Sequence, residues 1–375
     1  MTMRVLNIMA TLDKGGVEST VMEYYRFIDR NKIQFDFLIT SEKKGCYEEE
    51  VMRLGARIFR RPMRSRNPIM ASIKLFNVLR KNKNIIAIHI HNLSSVVSLD
   101  TFVAMLMGVK IRIVHSHSAL HNPSIIQYLF YPLLKKTTTN WAACSAKAGQ
   151  SMFGKKAWND RNNKTLLLNA RNMMPYKYNR ELREHERIKL RINNRFVLIN
   201  VGRLDSIKNQ MFLLEIFRDA LRKNASLFLL IAGEGELHEK LMNKAIQLNI
   251  EHSILFLGHV HNVSSFFQAA DLFVLPSLRE GLPGTAIEAQ ATGLPCLLSD
   301  TISKEAKIIN PVEFLSINDG TSIWVESILK YIGYERTDTL NDVKCAGYEI
   351  NDAVKKLEKL YYDSYAIKID MGVNK

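Results

Sequence analysis

The sequence predicts an α/β protein built as two doubly wound parallel-sheet domains facing each other across a cleft. Three observations predict it. Short runs of leucine and β-branched residues alternate with amphipathic helical stretches along the whole chain. The strand-like runs are nearly continuous in apolar residues, as in a parallel sheet covered by helices on both faces. The 375 residues are too many for one typical core and suit two.

The elements follow in order. Val5–Met9 reads as a strand and Val17–Ile28 as a helix; Phe35–Ile39, Ile86–His91 and Ile111–Val114 are further strands, and Trp141–Cys144 and Leu166–Leu168 close the first set. The polar, charge-rich segment Tyr176–Asn194 reads as a partly helical linker region. A second series has strands at Phe196–Val201, Leu227–Ala232, Ile254–Leu257, Leu272–Leu275 and Cys296–Leu298, with helices opening near Asn209, Glu236, Asn262 and Thr285. Asn351–Tyr365 is amphipathic, with Val354, Leu357, Leu360 and Tyr361 on one side. The expected domains are therefore 1–190 and 191–350, with 351–375 a terminal helix that packs back on the first.

Composition narrows the function classes. No run of 18 apolar residues occurs, so no transmembrane helix is expected. The N-terminal apolar stretch is short and alternates like a strand, unlike a signal peptide. Four cysteines lie far apart without a CxxC pair, which argues for a reducing cytoplasm over a disulfide framework or zinc site. The net charge of +15 is uneven: residues 51–190 hold 25 Lys and Arg against 5 Asp and Glu. A basic first half suits an anionic partner: a membrane surface, a phosphorylated lipid or a nucleic acid. Without an RNA-recognition motif, zinc finger or basic–aromatic interleaving, nucleic acid is not the expected partner. Arg57, Arg60, Arg61, Arg64 and Arg66 precede an amphipathic stretch with Ile69, Ile73, Phe76 and Leu79. Asn122–Lys136 adds Tyr128, Phe130 and Tyr131 before Lys135 and Lys136. This pattern predicts peripheral binding to the anionic inner face of the cytoplasmic membrane. The competing view makes Phe76 and Tyr128 core and the arginines merely solvated.

Three segments of the second half carry chemistry. Val201–Asn209 (VGRLDSIKN) follows a strand and opens a helix. Gly202 lets the backbone approach an anion, the helix start offers free N–H groups, and Arg203 and Lys208 add two cations, a combination suited to a pyrophosphate. Its bland counterpart is an ordinary turn with exposed cations. Pro276–Ala289 (PSLREGLPGTAIEA) also follows a strand; its glycines and prolines build a rigid loop carrying Glu280, and Glu288 lies about one turn into the next helix. Ala286, Ala289 and Ala291 around Glu288 suggest close packing rather than a solvent-facing residue, and such a carboxylate can accept hydrogen bonds from both ribose hydroxyls. Ala232–Gly235 (AGEG) is a glycine-rich turn, weak evidence alone.

Together these segments resemble the retaining glycosyltransferases of family 4, which have the GT-B fold of two Rossmann-like domains and build surface polysaccharides and lipopolysaccharides. EGLPGTAIEAQATGLPCLLSD is similar to the family's EGxP…E…A…GxP block, GRLxxxKN to its GRLxxxKG loop, and GEG and FLGHVHNV (Phe256–Val263) also fit. Gly15-Gly16-Val17-Glu18 resembles the GGxE loop that approaches the donor phosphates from the other domain. The variants are most similar to exopolysaccharide and capsule enzymes. The resemblance implies that Arg203 and Lys208 bind the donor diphosphate and stabilise the leaving group, with Gly202, Gly233 and Gly16 lining the phosphate region. It implies that Glu288 holds the ribose, and that Glu280 contacts the transferred sugar beside the backbone of Gly281, Leu282, Pro283, Gly284 and Thr285. Asn209, Gly284 and Asn262 depart from the commonest residues, and the family's IPNG-type segment reads Leu168-Asn169-Ala170-Arg171.

The family also carries a functional histidine at the end of the strand Ile111–Val114. His117 aligns better there and His115 is the fallback; of His89 and His91, which alternate on one face of their strand, only His91 stands at its end. No DxD and no metal-ligand spacing occurs, so the expected machinery is metal-free, with cations neutralising the departing diphosphate and no cofactor beyond the nucleoside diphosphate sugar. The expected partner on the acceptor side is a saccharide, lipid-linked if the basic half meets the membrane. Two rivals stand beside this reading: a sugar-nucleotide epimerase of the same fold, and a basic nucleic-acid-binding protein. A catalytically silent subunit is disfavoured by the intact Arg, Lys and Glu positions.

Overall fold

A computed structural model describes residues 2–13, 15–91, 94–117, 125–260 and 262–373. The chain divides into two compact units, Met1–Asn172 with Glu349–Lys375, and Met173–Tyr348. Among the described residues the first unit holds a seven-stranded sheet, β1 (Met3–Met9), β2 (Ile33–Ile39), β3 (Ile58–Arg60), β4 (Ile85–His91), β5 (Ile111–Ser116), β6 (Asn140–Ala143) and β7 (Lys164–Leu166). The second holds six strands, β8 (Phe196–Val201), β9 (Leu227–Ala232), β10 (Ile254–Gly258), β11 (Leu272–Leu275), β12 (Cys296–Ser299) and β13 (Val312–Leu315). The orders are β3-β2-β1-β4-β5-β6-β7 and β10-β9-β8-β11-β12-β13, and the pairings are parallel. Both sheets reverse direction of growth beside their first strand, at β1/β4 and β8/β11, the switch point where such sheets bind ligands.

Side-chain alternation along the strands splits each core in two. Val5 packs on one face of the first sheet and Leu6 and Ile8 on the other. The face carrying Val5 is covered by the helix Gly16–Phe27 and by the terminal helix Ile350–Val373, which brings Val354, Leu357, Leu360 and Tyr361 into that core. In the second unit Leu198 belongs to one core, and Val197 and Ile199 to the other.

The short edge strands β3 and β13 are absent from the expected set; three and four residues are too few to show a period. The expected break at 190/191 differs from the division at 172/173, because the segment expected as linker is part of the second unit. Its helix Arg180–Leu190 is capped by Asn179, whose side chain accepts from Leu182 N. It is anchored by Arg183 and Arg187, which bind Asp271 at 2.5 and 3.1 Å.

The basic cluster also has a different physical state from either expectation. Asp36 takes Arg4 and Arg57, Glu48 takes Arg60, and Asp100 takes Arg61 and Arg64. Of the five clustered arginines Arg66 is the one exposed without such a pair among the described residues. Phe76 and Tyr128 are not core: they are 41 % and 67 % exposed. Residues 122–124 of the expected aromatic stretch lie outside the described residues.

Asp100 is 1 % exposed and neutralises two largely buried guanidinium groups. Asp100→Asn leaves both uncompensated and should destabilise the first unit by about 3–5 kcal/mol in chemical denaturation. Burial alone would raise the pKa of Asp36, but hydrogen bonds from Arg4 and Arg57 hold it below the usual carboxylate range. Its contribution is present above the unfolded pKa of about 3.9 and is lost as pH falls through the lower folded value, which acid titration of wild type against Asp36→Asn measures.

Candidate functional site

In the second unit, the loops after β8, β9 and β11 meet at the carboxyl edge of the sheet. The meeting depends on backbone touching backbone. A Cβ on Gly233, whose φ is +145°, would lie 1.9 Å from the Gly202 carbonyl oxygen, and one on Gly235 would lie 2.3 Å from that of Leu204. Leu204 N donates to Glu234 O at 2.9 Å and Gly202 N to Ala232 O at 2.9 Å, so the two loops are stitched together. The AGEG turn, weak as a sequence signal, is therefore the bed on which the Gly202–Leu204 loop lies.

That loop then turns on Asp205, whose carboxylate accepts from Ile207 N and Lys208 N, each at 3.0 Å. Asn209 has a φ of 57° at the N-cap of the helix Gln210–Lys223. This is the left-handed region that favours the family's usual glycine, and asparagine is one of the few side chains that tolerates it. Its side chain donates to Pro276 O at 3.1 Å, while Leu278 N donates to Ile207 O at 2.8 Å. The Arg203/Lys208 loop and the Glu280 loop are thus tied together.

The second loop is also held from behind. Ser299 and Thr301 hydroxyls donate to Ser277 O at 2.5 and 2.8 Å, and Glu280 forms an isolated bridge with Ile302. Lys208 and Glu280 form an ion pair with side chains 17 % and 18 % exposed. Arg203 is exposed. Gly281, Leu282 and Pro283 lead into the helix Gly284–Ala291, and Thr285 Oγ1 in its first turn is buried without a hydrogen-bond partner. Glu288 is 5 % exposed on that helix, so it is not a solvent-facing residue. Arg203, Lys208, Glu280 and a helix N-terminus thus frame one edge of this unit, with two cations and a carboxylate available to a phosphorylated, hydroxyl-rich ligand. Within Phe256–Val263, His261 lies outside the described residues.

The first unit places Gly16 at the start of the helix that follows β1, where an added Cβ meets nothing within 4 Å. His117 follows β5; Ser118 beside it lies outside the described residues. Its Nδ1 is 3.3 Å from Asn169 Oδ1 and its Nε2 is 2.9 Å from His91 Nδ1. Burial holds its pKa down to about 4, so the ring is neutral near pH 7. His115 is 2 % exposed, whereas His117 retains accessible surface. Sequence reasoning singled out Asn169 only as a departure from the family's IPNG-type segment, and it missed Asn7 and the Tyr361 hydroxyl, which meet His91 and His89. The three come from the segment after β7, β1 and the terminal helix, and of their positions only the packing of Tyr361 on one helical face was legible.

Comparison with known proteins accords with these features. Residues 183–328 match the model of the family described as "Glycosyl transferases group 1". The chain is 32 % identical over 336 residues to EpsF of Bacillus subtilis strain 168, which bears the name of a glycosyltransferase, with 87 % of each chain covered. It is 32 % identical over 190 residues to the Escherichia coli UDP-Gal:alpha-D-GlcNAc-diphosphoundecaprenol alpha-1,3-galactosyltransferase, covering 48 % of this chain and 47 % of that one. Among solved structures it is similar to Anabaena Alr3699/HepE, crystallised in complex with UDP. There the TM-score is 0.76 at 14 % identity, over 97 % of this chain and 100 % of that one, a likeness of GT-B fold.

The two glycines make opposite predictions. Gly233→Ala forces a clash with the Gly202 carbonyl in a strained backbone region and should cost about 1–3 kcal/mol or more in urea denaturation. Gly16→Ala enters open space and should leave stability within about 0.5 kcal/mol.

Proposed function

The chain belongs to the group 1 glycosyl transferases, and we propose that it moves a glycosyl group from a nucleoside diphosphate sugar to a saccharide hydroxyl with retention at the anomeric carbon. One observation carries the reading: Lys208, Glu280 and the helix start at Gly284 are locked together on one edge of the second unit, beside exposed Arg203. In this reading Arg203 and Lys208 take the diphosphate. Glu288 takes the ribose, and Glu280 orients hydroxyls of the transferred sugar while its ion pair holds Lys208 in place.

The bond from the anomeric carbon to the diphosphate oxygen breaks, and one from the acceptor oxygen to that carbon forms on the same face. The acceptor's proton goes to the departing phosphate oxygen. Charge develops on the diphosphate, so preorganised cations stabilise the transition state more than the ground state. On the first unit, the family resemblance assigns Gly16 to the phosphate region and His117, rather than the inaccessible His115, to the transferred sugar. His117 would act as a neutral hydrogen-bonding group. Neither the epimerase nor the nucleic-acid reading gains support from any feature of the site.

For the acceptor we propose a lipid-linked saccharide, with the enzyme resting on the membrane. No helix among the described residues is long and apolar enough to cross one. The support is an apolar surface on three successively packed helices, Pro68–Lys81, Ser98–Leu106 and Ile125–Thr137. Ile69 (73 %), Leu106 (67 %), Ile125 (77 %) and Leu129 (72 %) are its most exposed members. The arginine cluster is largely neutralised internally, and the exposed cations beside these helices include Arg66, Lys74, Arg80, Lys81, Lys135 and Lys136.

Arg203→Ala and Lys208→Ala should each lower kcat by about 10²-fold or more with the fold intact; near-normal turnover in both, measured with a panel of sugar nucleotides, would contradict the assignment. Calorimetry separates the carboxylates: Glu288→Gln should weaken free nucleoside diphosphate binding more than Glu280→Gln does, while Glu280→Gln should act mainly by slowing transfer. Co-sedimentation with anionic vesicles should fall with salt and fall again in an Ile73→Ser/Leu129→Ser variant; binding to neither anionic nor neutral vesicles would remove the membrane reading and leave the transferase reading standing.

A further inference from the structure

Three buried histidines that this reaction does not use come together in the first unit. His89 and His91 stand two residues apart on β4 and so share a face. His115 on β5 is the register partner of His91. Their ring centroids lie 4.3, 5.3 and 5.6 Å apart, and one ring nitrogen of each falls within 4.8 Å of those of the other two. All are buried, at 2 %, 8 % and 2 % exposure.

The hydrogen bonding is incomplete in a specific way. His89 Nε2 and both nitrogens of His115 are buried without a hydrogen bond of normal geometry. The other nitrogens of His89 and His91 face orienting groups: Tyr361 Oη meets His89 Nδ1 at 2.7 Å and Asn7 Oδ1 meets His91 Nε2 at 3.0 Å. An imidazole whose N–H is fixed by a carbonyl or hydroxyl presents its other nitrogen as a lone pair, which is how metal-binding histidines are oriented. A cavity of about 10 Å³, too small for an organic ligand, lies against these rings, with Asn7 and Tyr361 beside them and the apolar side chains of Val21, Phe35 and Leu357 on its other side.

We propose that His89, His91 and His115 form a binding site for one divalent transition-metal ion of the Zn²⁺ class. Three neutral imidazoles with no carboxylate among them suit Zn²⁺ and its neighbours and not Mg²⁺ or Ca²⁺. Zn–N bonds of about 2.0–2.1 Å set tetrahedral ligand nitrogens roughly 3.3 Å apart, so the rings, which lie stacked at 26° and 19° to His89, must rotate for their in-plane lone pairs to converge as well as close by about an ångström. His91 Nδ1, now 2.9 Å from His117 Nε2, releases that contact to bind the ion, and a water takes the fourth position. The ion would fasten the carboxyl ends of β4 and β5 to each other and, through Tyr361, to the terminal helix. Its role is structural, separate from the donor diphosphate.

The test uses the full chain freed of metal by chelator and titrated with Zn²⁺ alone by calorimetry. The proposal expects one ion per chain, a raised Tm, and reversal by chelator. Co²⁺ alone should give the visible absorption of a four-coordinate site with three histidine ligands. His115→Gln should abolish the one-per-chain stoichiometry, Tyr361→Phe should weaken it about 10–100-fold, and His252→Gln, at a side chain 94 % exposed, should leave it unchanged. Absence of the Co²⁺ spectrum in wild type overturns the site even if His115→Gln fails to fold. So does unchanged Zn²⁺ binding in a folded His115→Gln, or equal binding of Mg²⁺. None of these readouts depends on glycosyl transfer.

Discussion

The second unit is organised by a contact between two stretches of backbone. Gly233 and Gly235 lie against the carbonyls of Gly202 and Leu204 at a distance no side chain permits. This close approach lets the loops after β8 and β9 run together at the carboxyl edge of the sheet. The Asp205 turn and the left-handed Asn209 then fix where Lys208 emerges. Asn209 and Leu278 carry the constraint across to the third loop, and the Lys208–Glu280 ion pair closes it. Side chains proposed to bind an anion must not wander when charge develops, and here Lys208 is positioned by packed main chain together with its ion pair to Glu280.

Five of the six strands of the second unit were legible because each run is bounded by turn residues and is almost wholly apolar, and the chemistry of its loops was legible because it is local. Arg203, Lys208, Glu280 and Glu288 sit in two short segments, each directly after a strand. What could not be read is what tertiary structure decides. β3 and β13 are too short to show periodicity. The segment Tyr176–Asn194 looks like a linker because it is polar, yet Arg183 and Arg187 are polar in order to reach Asp271. The arginines at 57–64 look like a free basic patch because their partners Asp36, Glu48 and Asp100 are distant in sequence. The histidine group was half visible, since His89 and His91 alternate on one strand. That His115 joins them depends on β4–β5 register, which no local pattern encodes.

The first unit thus carries two kinds of polar interior. One is fully compensated, as at Asp36 and Asp100, and contributes to holding secondary elements in place. The other, around His89 and His115, leaves buried nitrogens without protein hydrogen-bond partners, which native structures seldom tolerate without a reason. The exposed apolar residues on the three outer helices are a third departure from an ordinary surface. Under the proposed function these features divide the labour: the second unit's loops are assigned to the donor and the first unit's apolar surface to a lipid-linked acceptor.

The central claim is that the donor's diphosphate lies in the loops after β8 and β11. A crystal structure of the protein with a nucleoside diphosphate tests it most directly. The account predicts phosphate oxygens about 2.7–2.9 Å from Lys208 Nζ and from the Arg203 guanidinium, with the ribose on Glu288. A diphosphate bound elsewhere, with Arg203 and Lys208 both clear of it, would contradict the account.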